Sequence, residues 1–400
     1  MFKGKVCAVA VGVLTLAAAG RAEFQVNTYT TYHQTHPAVA MNEAGEFIVA
    51  WRSHPTDGRG GGVYARCFRA DGTPVGQEFK VNTSEADVDN WTPAVAIAPS
   101  GNCVVAWVTA KDGDCDIAAR MFDRQGQPLT DEFEVNASSP DAAQSMPSIA
   151  MNSAGDFVIV WTSWSGVCYI GSSYVLGRMY RADATPRGEE FLIGAHSNAD
   201  WPDVVMENSG AFIVAWIRMG DTYNRPYGEY IMYRRFNADG TPAGGAVQVT
   251  GDLNSRWYGP SVAVDRSGEF AITWAAGPFP YDIVAQHFGP DGTPVTEPSV
   301  VNTCLKGNQG RPRIATNGEG QYLVVWDSQD QDGSGCGVFG QRYARGGQIV
   351  GAERLINTYV LDRQWYPRVA MGAGDKCVVV WISENQDGSG YGIFGELGIE

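Results

Sequence analysis

The sequence predicts an all-β protein: a seven-bladed β-propeller of four-stranded antiparallel blades, closed by its N-terminal strand. Three observations predict this fold. A motif of a proline, an apolar run, a glycine turn, a second apolar run and a tryptophan recurs seven times. Each of the first six repeats contains four segments with the composition of short β-strands. The strand that the last repeat lacks stands instead at the start of the predicted domain.

The repeat tryptophans show how regular the motif is. They are 52 to 58 residues apart, at Trp51, Trp107, Trp161, Trp216, Trp274, Trp326 and Trp381. A period of this length is typical of propellers and solenoids, in which each unit buries its apolar faces against its neighbours.

The first repeat illustrates the four predicted strands. "PAVAM" begins at Pro37. Proline has no backbone N–H to donate to a neighbouring strand, and the first residue of a strand does not require one. "EFIVAW" ends at Trp51 and is apolar on both faces, which predicts a sheet covered on both sides. "VYARCF" follows a loop, and "ADGTP" then turns the chain into "EFKVNT" at 78–83. The Asp71-Gly72 pair supplies the positive φ of a tight turn, and later repeats have the same pair at Asp239-Gly240 and Asp291-Gly292.

The ends of the chain favour a closed ring over an open solenoid. The seventh repeat stops at its third strand, "YGIFGELGIE" (391–400), whereas "EFQVNT" (23–28) precedes the first repeat. If the N-terminal segment completes the seventh blade, no strand edge is left unpaired. An open solenoid gives no reason for this shift.

The N-terminal segment has the features of a secretory signal. Residues 1–22 combine a basic start, an apolar run too short to span a bilayer, and small residues before Ala22. We expect residues 1–22 to be a signal peptide, residues 23–400 to be a single propeller domain without a membrane span, and the mature protein to be secreted, extracellular or periplasmic. An uncleaved N-terminal anchor is the alternative.

Charge and cysteine usage exclude several classes of function. The net charge is −15, and removing Lys3, Lys5 and Arg21 leaves 26 basic and 44 acidic residues, or −18. An acidic surface repels phosphate backbones, and the sequence contains no run of Lys or Arg, so we expect no nucleic-acid partner. Seven cysteines remain beyond Cys7, an odd number without a C-x-x-C motif. This count indicates neither a disulfide framework nor a zinc site, and it leaves any pairing open.

The full repeat pattern is P-a-V-A-m … G-x-F-v-V-a-W … D-G-x-G-x-G-v … R-x-F … D-G-T-P-v-G-x-E-F-x-V-N-T. It resembles a repeat of bacterial secreted and surface proteins of the β-propeller type, most of which are uncharacterised. The resemblance covers the whole chain after residue 22. It is strongest in the first and sixth repeats, whereas the third, fourth and fifth depart from it in the loop after the tryptophan. The resemblance implies a propeller fold and an extracytoplasmic location, and it implies no activity.

The loops predict where a ligand would bind. Turns between strands one and two and between three and four are short and alike; we call their side of the ring the regular rim. Connections between strands two and three and between repeats differ in length and content, and they form the variable rim. Variable loops on a rigid scaffold are where binding residues concentrate.

Aromatic residues strengthen this assignment. All five tryptophans outside the repeat positions fall on the variable rim: Trp91, Trp164, Trp201, Trp257 and Trp365. Tyr258 and Tyr366 follow two of them, and the polar candidates beside them are Asp89, Asp200, Asp362 and His36. Aromatic faces next to carboxylates and amides suit a carbohydrate. The alternative is that these aromatics only pack between blades.

Metal and catalytic motifs are sparse. Asp327, Asp330 and Asp332 in "DSQDQDGSG" and Asp387 in "ENQDGSG" are candidate calcium ligands, but their spacing does not match an EF-hand, and Asp-Gly-Ser-Gly is also an ordinary turn. We therefore expect no cofactor. The chain has neither an H-E-x-x-H nor a G-x-S-x-G motif, and no pair of carboxylates stands out among the many on the variable rim. The sequence assigns no catalytic residue.

These observations favour a secreted, non-enzymatic binding propeller, expected to be a monomer, that contacts a glycan or a protein through its variable rim. Two alternatives stay open: a polysaccharide lyase or glycoside hydrolase built on the same ring, and a purely structural cell-surface module.

Overall fold

A computed structural model describes residues 23–54, 61–84, 88–111, 113–137, 142–165, 172–194, 198–219, 229–251 and 258–399. Within these ranges the chain forms seven four-stranded antiparallel sheets, arranged as a seven-bladed β-propeller. The one helical segment in these ranges is a short 3₁₀ turn at Arg345–Gly347. The predicted fold class is confirmed.

Blades are numbered in chain order, and in the first six the strands lie in sequence order from the channel outwards. Blade 1 has β2 (Gln34–Met41), β3 (Phe47–Ser53), β4 (Gly62–Phe68) and β5 (Phe79–Lys80). Blade 2 has β6 (Asp89–Ile97), β7 (Cys103–Lys111), β8 (Asp114–Phe122) and β9 (Phe133–Glu134). Blade 3 has β10 (Ala143–Met151), β11 (Phe157–Trp164), β12 (Ser173–Tyr180) and β13 (Phe191–Leu192).

The remaining blades follow the same plan. Blade 4 has β14 (Ala199–Met206), β15 (Phe212–Met219), β16 (Glu229–Phe236) and β17 (Val247–Gln248). Blade 5 has β18 (Ser261–Val264), β19 (Phe270–Ala276), β20 (Asp282–Phe288) and β21 (Ser299–Val300). Blade 6 has β22 (Gln309–Thr316), β23 (Tyr322–Gln329), β24 (Cys336–Ala344) and β25 (Gln348–Leu355). Blade 7 has β26 (Gln364–Met371), β27 (Cys377–Glu384) and β28 (Tyr391–Leu397), with β1 (Phe24–Gln25) as its outermost strand.

The N-terminal strand closes the ring as predicted. Phe24 of β1 pairs with Gly395 of β28 in antiparallel register, and the N–H of Val26 donates to Ile393 O at 2.8 Å. The Phe24 ring also packs against Phe68 of blade 1, with ring centroids 5.6 Å apart. Both the sheet hydrogen bonds and the packing therefore join the two ends of the chain.

The core lies between neighbouring blades. Each repeat tryptophan is at most 2% exposed. One cluster combines Ile48 of blade 1 with Trp107 and Val105 of blade 2, so each sheet buries a face against the next. The Nε1 atom of Trp107 donates to Asn90 Oδ1 at 3.0 Å, which satisfies the indole inside the core. This buried sheet-on-sheet packing explains why the second strands are apolar on both faces.

The recurring E-F-x-V-N-T segment has a structural explanation. Its asparagine accepts a backbone hydrogen bond from the adjacent third strand, as Asn82 Oδ1 does from Val63 N at 2.8 Å. Its glutamate accepts one from the preceding blade's segment, as Glu78 does from Thr28 N at 2.6 Å. The motif therefore holds the outermost strand in its own sheet and ties it to the neighbouring blade. Among the described residues, no helix is long and apolar enough to cross a membrane.

Candidate functional site

A recurring backbone distortion builds the mouth of the central channel on the variable rim. In six blades, the innermost strand has a register shift at the residue before its opening proline. These six residues adopt left-handed backbone angles, with φ between 46° and 59°, and they are His36, Thr92, Met146, Trp201, Arg311 and Tyr366. Blade 5 has Gly259 at this position. Bulges re-aim side chains, and non-glycine residues at positive φ are strained, so this pre-proline ring is a costly feature of the fold.

The residues after the same prolines form a second ring, deeper in the channel. They are Ala38, Ala94, Ser148, Asp203, Ser261, Arg313 and Arg368. The channel cavity, of about 300 Å³, is lined by residues of both rings. On the regular rim, Arg266 of blade 5 reaches across to Glu43 of blade 1 at 2.6 Å. The two rings make the channel asymmetric, because blades 1 and 2 contribute alanines where blades 6 and 7 contribute arginines.

A cavity of about 290 Å³ opens beside blades 4 to 7, and we call it the arginine pocket. Its lining residues are Trp201, Tyr258, Gly259, Arg311, Arg313, Tyr366 and Arg368. The Arg311 guanidinium lies 3.2 Å from both Asp327 carboxylate oxygens. It also lies 5.0 Å from the ring centroids of Tyr258 and Trp365. The charge of Arg311 is therefore compensated within the protein.

Arg313 and Arg368 form no comparable ion pair among the described residues, although Tyr366 and Asp203 partly offset the effects that lower the pKa of Arg368. The Nη1 atom of each donates to the carbonyl of its own preceding proline, at 3.0 Å. Among the described residues, neither guanidinium has a carboxylate oxygen within 4.0 Å. Asp203, in the same ring, already accepts from Ser148 Oγ at 3.1 Å and from Val262 N at 2.9 Å. Burial and the neighbouring Arg313 charge lower the pKa of Arg368 to about 9, so two cations face one cavity at neutral pH.

A second cavity, of about 280 Å³, adjoins the first and is called the histidine pocket. Its lining residues are His33, Thr35, His36, Arg52, His54, Trp365, Tyr366, Ile382 and Tyr391. Thr35 Oγ1 lies 3.1 Å from both His36 Nδ1 and His54 Nε2, which links the two imidazoles. Burial, followed by the Arg52 charge, lowers the pKa of both histidines to about 4. Both rings are therefore neutral at physiological pH.

The structure brings five of the predicted site residues to these two pockets. Trp201 and Tyr258 line the arginine pocket, Trp365 and His36 line the histidine pocket, and Tyr366 lines both. The rings of His36 and Tyr366 meet edge to face with centroids 5.4 Å apart. A ligand role for these residues stays a prediction.

The other candidates have partners elsewhere in the fold. Asp89 forms an ion pair with Arg52, with both carboxylate oxygens at 2.8 Å, and the same guanidinium lies 5.8 Å from the Trp91 ring. Trp164 is buried and donates to Ser145 Oγ at 3.1 Å. Asp89, Trp91 and Trp164 line neither pocket.

Asp200 is also buried, and it accepts from Thr162 Oγ1 and Trp201 N, both at 2.8 Å. Burial raises its pKa to about 6. Asp362 is exposed and accepts from Asn385 Nδ2 at 3.2 Å. Trp257 lies outside the described residues. A ligand role for Asp89, Asp200 and Asp362 stays a prediction.

The candidate calcium ligands are likewise held within the protein. Asp327 pairs with Arg311. Asp332 and Asp387 occupy equivalent turns, where each accepts the N–H of a serine two residues on, at 3.3 Å and 3.1 Å. Asp330 is exposed on the same loop as Asp332. In the part of the chain that the structure describes, no group of three or more His, Cys, Asp or Glu side chains could hold a metal ion.

Sequence reasoning missed the arginines. Arg311 and Arg313 flank one proline and Arg368 stands in the next repeat, so no basic run joins all three. A signal was present, because superposing the repeats on their opening prolines places "RPR" of blade 6 beside "YPR" of blade 7. Only the ring geometry turns these isolated residues into one cationic cluster.

These features define the protein as a seven-bladed β-propeller with a cationic, aromatic-walled site at its channel mouth. No protein-family model matches the sequence, and no curated protein is similar to it in sequence. Similar solved structures include a PL25 ulvan lyase bound to -[GlcA(1-4)Rha3S]-, at 12% identity and a TM-score of 0.57, with 94% of this chain and 95% of that chain covered.

Two other similar structures belong to proteins with different described activities. The propeller domain of the trilobed protease from Pyrococcus furiosus has 10% identity and a TM-score of 0.52, with 92% and 94% covered. An α-L-arabinofuranosidase from Fusarium graminearum has 8% identity and a TM-score of 0.50, with 76% and 93% covered. Identities this low show a shared fold alone.

Proposed function

We propose that this protein is a secreted binding propeller whose arginine pocket holds an acidic carbohydrate, a glycan that carries carboxylate or sulfate groups. Its secretion would depend on residues 1–22 acting as a signal peptide. The observation that carries the proposal is the pair Arg313 and Arg368, two cations that face one cavity without a carboxylate partner among the described residues.

An anion is the ligand that this pair favours. A guanidinium presents its donors in a planar fork that matches a carboxylate or sulfate. Two like charges in a partly buried site repel each other, and a bound anion relieves that repulsion. The protein as a whole has a net charge of −15, so its surface attracts acidic polymers at few other places. The anion would therefore be bound locally and specifically.

The walls of the pocket favour a sugar over a bare anion. Trp201, Tyr258 and Tyr366 supply aromatic surface beside the arginines. Gly259 lets the backbone pack closely against Trp201, because a Cβ atom there would lie 2.7 Å from Trp201 Cβ. A cavity of about 290 Å³ is at the small end of ligand pockets, which suits one sugar ring. The similar fold of a lyase bound to -[GlcA(1-4)Rha3S]- is consistent with a polysaccharide ligand on such a ring.

A polysaccharide lyase is the second candidate, and His36 is the observation that favours it. Eliminative cleavage of a uronate removes the proton next to the carboxylate and breaks the C–O bond to the leaving sugar, so it needs a cation beside the carboxylate, a base for the proton and an acid for the leaving oxygen. The arginine pair would supply the cation, the His36 imidazole the base and the Tyr366 hydroxyl the acid. A glycoside hydrolase is less well supported, because no Asp or Glu among the described residues lines the arginine pocket.

The test applies three proteins to a glycan array: the chain 23–400, its Arg368→Gln variant and its Arg124→Gln variant. Arg124 lies on the surface, paired with Glu46, and serves as the matched control. We expect binding to uronate-containing or sulfated glycans but not to neutral ones, with at least tenfold weaker binding in Arg368→Gln and none of that loss in Arg124→Gln. Equal binding by parent and Arg368→Gln would exclude the arginine pocket as the site. A lyase would in addition release unsaturated ends from an acidic polysaccharide, and His36→Asn would abolish that release.

A further inference from the structure

The histidine pocket has walls unlike those of the arginine pocket. Trp365, Tyr366, Ile382 and Tyr391 give it mainly apolar and aromatic surface. Its volume of about 280 Å³ nearly equals that of the arginine pocket. Tyr366 lines both cavities, so a ligand with two linked units could occupy them together.

Two donors on the pocket's lining residues have no acceptor. Trp365 Nε1 and Arg52 Nε are buried and make no hydrogen bond within the described part of the chain. A buried donor without a partner destabilises a fold, and native structures contain few of them. Arg52 Nε faces Gly61, where an added Cβ atom would lie 2.6 Å from it. The Trp365 N–H is therefore the donor that an oxygen of a ligand in this pocket would satisfy.

The charges in the pocket favour an uncharged ligand. The Arg52 guanidinium is held by both oxygens of Asp89 at 2.8 Å. His36 and His54 are neutral at physiological pH because burial and Arg52 disfavour their protonation. The pocket therefore offers hydrogen-bond donors and aromatic faces without the excess positive charge of its neighbour. This combination fits a neutral sugar ring.

We propose that the histidine pocket is a second subsite, which binds the neutral sugar next to the acidic sugar of a bound glycan, with Tyr366 between the two rings. This inference rests on the proposed function, because the acidic sugar must occupy the arginine pocket. It defines the ligand more narrowly, as a polysaccharide in which acidic and neutral sugars adjoin.

The experiment compares free glucuronate and free galacturonate with a panel of disaccharides that join each uronate to a neutral sugar, by titration calorimetry. Trp365→Phe removes the indole N–H and keeps an aromatic ring. Trp164→Phe is the matched control, since Trp164 lines neither pocket. We expect at least one disaccharide to bind about tenfold more tightly than its free uronate. Trp365→Phe should remove most of that gain and change free-uronate binding much less, since Phe keeps an aromatic ring beside Arg311.

Further variants separate the possible failures. Tyr391→Leu alters the opposite wall and should also weaken disaccharide binding selectively, and a thermal melt confirms that each variant is folded. If no disaccharide binds more tightly than its uronate, or if both Trp365→Phe and Tyr391→Leu retain the full gain, the second subsite is wrong. If the second subsite is wrong but Arg368→Gln still weakens uronate binding, the proposed function is retained. If Arg368→Gln binds free uronate as the parent does, the proposed function itself is wrong.

Discussion

Glu23 accepts hydrogen bonds from the backbone N–H groups of Thr358 and Tyr359, more than three hundred residues along the chain. The contact joins the N-terminal strand of blade 7 to blade 6. Inside the ring, Glu132 makes the equivalent contact with Thr83 N at 2.8 Å. The N-terminal strand is therefore attached to blade 6 by the same kind of hydrogen bond that joins two internal blades.

Deleting residues 23–28 should destabilise the whole ring. The deletion removes β1 and leaves β28 as an unpaired edge. It also removes Asn27, whose Oδ1 accepts from Ile393 N at 2.7 Å. We expect a lower melting temperature and faster proteolysis within 391–399. Unchanged thermal unfolding would show that the N-terminal strand contributes little to closure.

Single substitutions test whether closure and internal junctions are equivalent. Glu23→Gln weakens the hydrogen bonds from the backbone N–H groups of Thr358 and Tyr359, and Glu132→Gln weakens those from the backbone N–H and the hydroxyl of Thr83. We expect each substitution to lower the free energy of unfolding by about 1 kcal/mol. Urea titration of the parent and of both variants gives the free energy of unfolding of each. A loss several times larger for Glu23→Gln would show that the closing junction is the weak point of the ring.

The repeats made most of this fold predictable. The repeat tryptophans, the existence of the inner strands and the displaced "EFQVNT" segment follow from local pattern, because the same packing recurs in every blade. The predicted start of the inner strands at the proline is wrong in six blades, where the strand begins three or four residues earlier and the proline lies at the register shift. The partners of Asp89 could not be predicted in this way. Arg52 stands 37 positions earlier in a different blade, and only the angle between adjacent blades brings its guanidinium to that carboxylate. The arginine pocket is similar, since Arg313 and Arg368 meet only because the ring curves.

Trp216→Ala should be among the most damaging substitutions in the core. Trp216 is 2% exposed and packs in the cluster between blades 3 and 4. Removing so large a buried side chain leaves a cavity and costs about 3–5 kcal/mol. Trp91→Ala is the control, because Trp91 is only partly buried, and it should cost clearly less. Equal losses measured by urea denaturation would contradict the assignment of Trp216 to the core.

Arg311→Met should destabilise the protein through Asp327. The carboxylate of Asp327 is buried, and burial raises its pKa in spite of the Arg311 cation. Removing one partner of a buried ion pair leaves an uncompensated charge, at a cost of about 3–5 kcal/mol. The double variant Arg311→Met with Asp327→Asn should recover part of that loss. A double variant less stable than both single variants would argue against a direct pairing.

His36 should make stability fall as the pH is lowered from neutral. Its pKa is about 4 in the folded protein and 6.5 in the unfolded chain, because burial and the Arg52 charge disfavour the cation. Between these values the unfolded chain binds a proton that the folded protein does not, so acid favours unfolding by roughly 3 kcal/mol at most from this residue. Asp200 acts in the opposite direction, since its pKa of about 6 lets the folded protein bind a proton first.

The contribution of His36 is measured by comparing the parent with a variant that lacks this histidine. Asn tolerates the positive φ at position 36 better than most residues and does not titrate, so His36→Asn should lose stability less steeply than the parent between pH 6.5 and 4. His54 and Asp200 are present in both proteins, so their contributions cancel when the two curves of unfolding free energy against pH are subtracted. Parallel curves over this range would mean that His36 is protonated as readily in the fold as in the unfolded chain. In that case the uncharged imidazole assigned to the histidine pocket would be wrong.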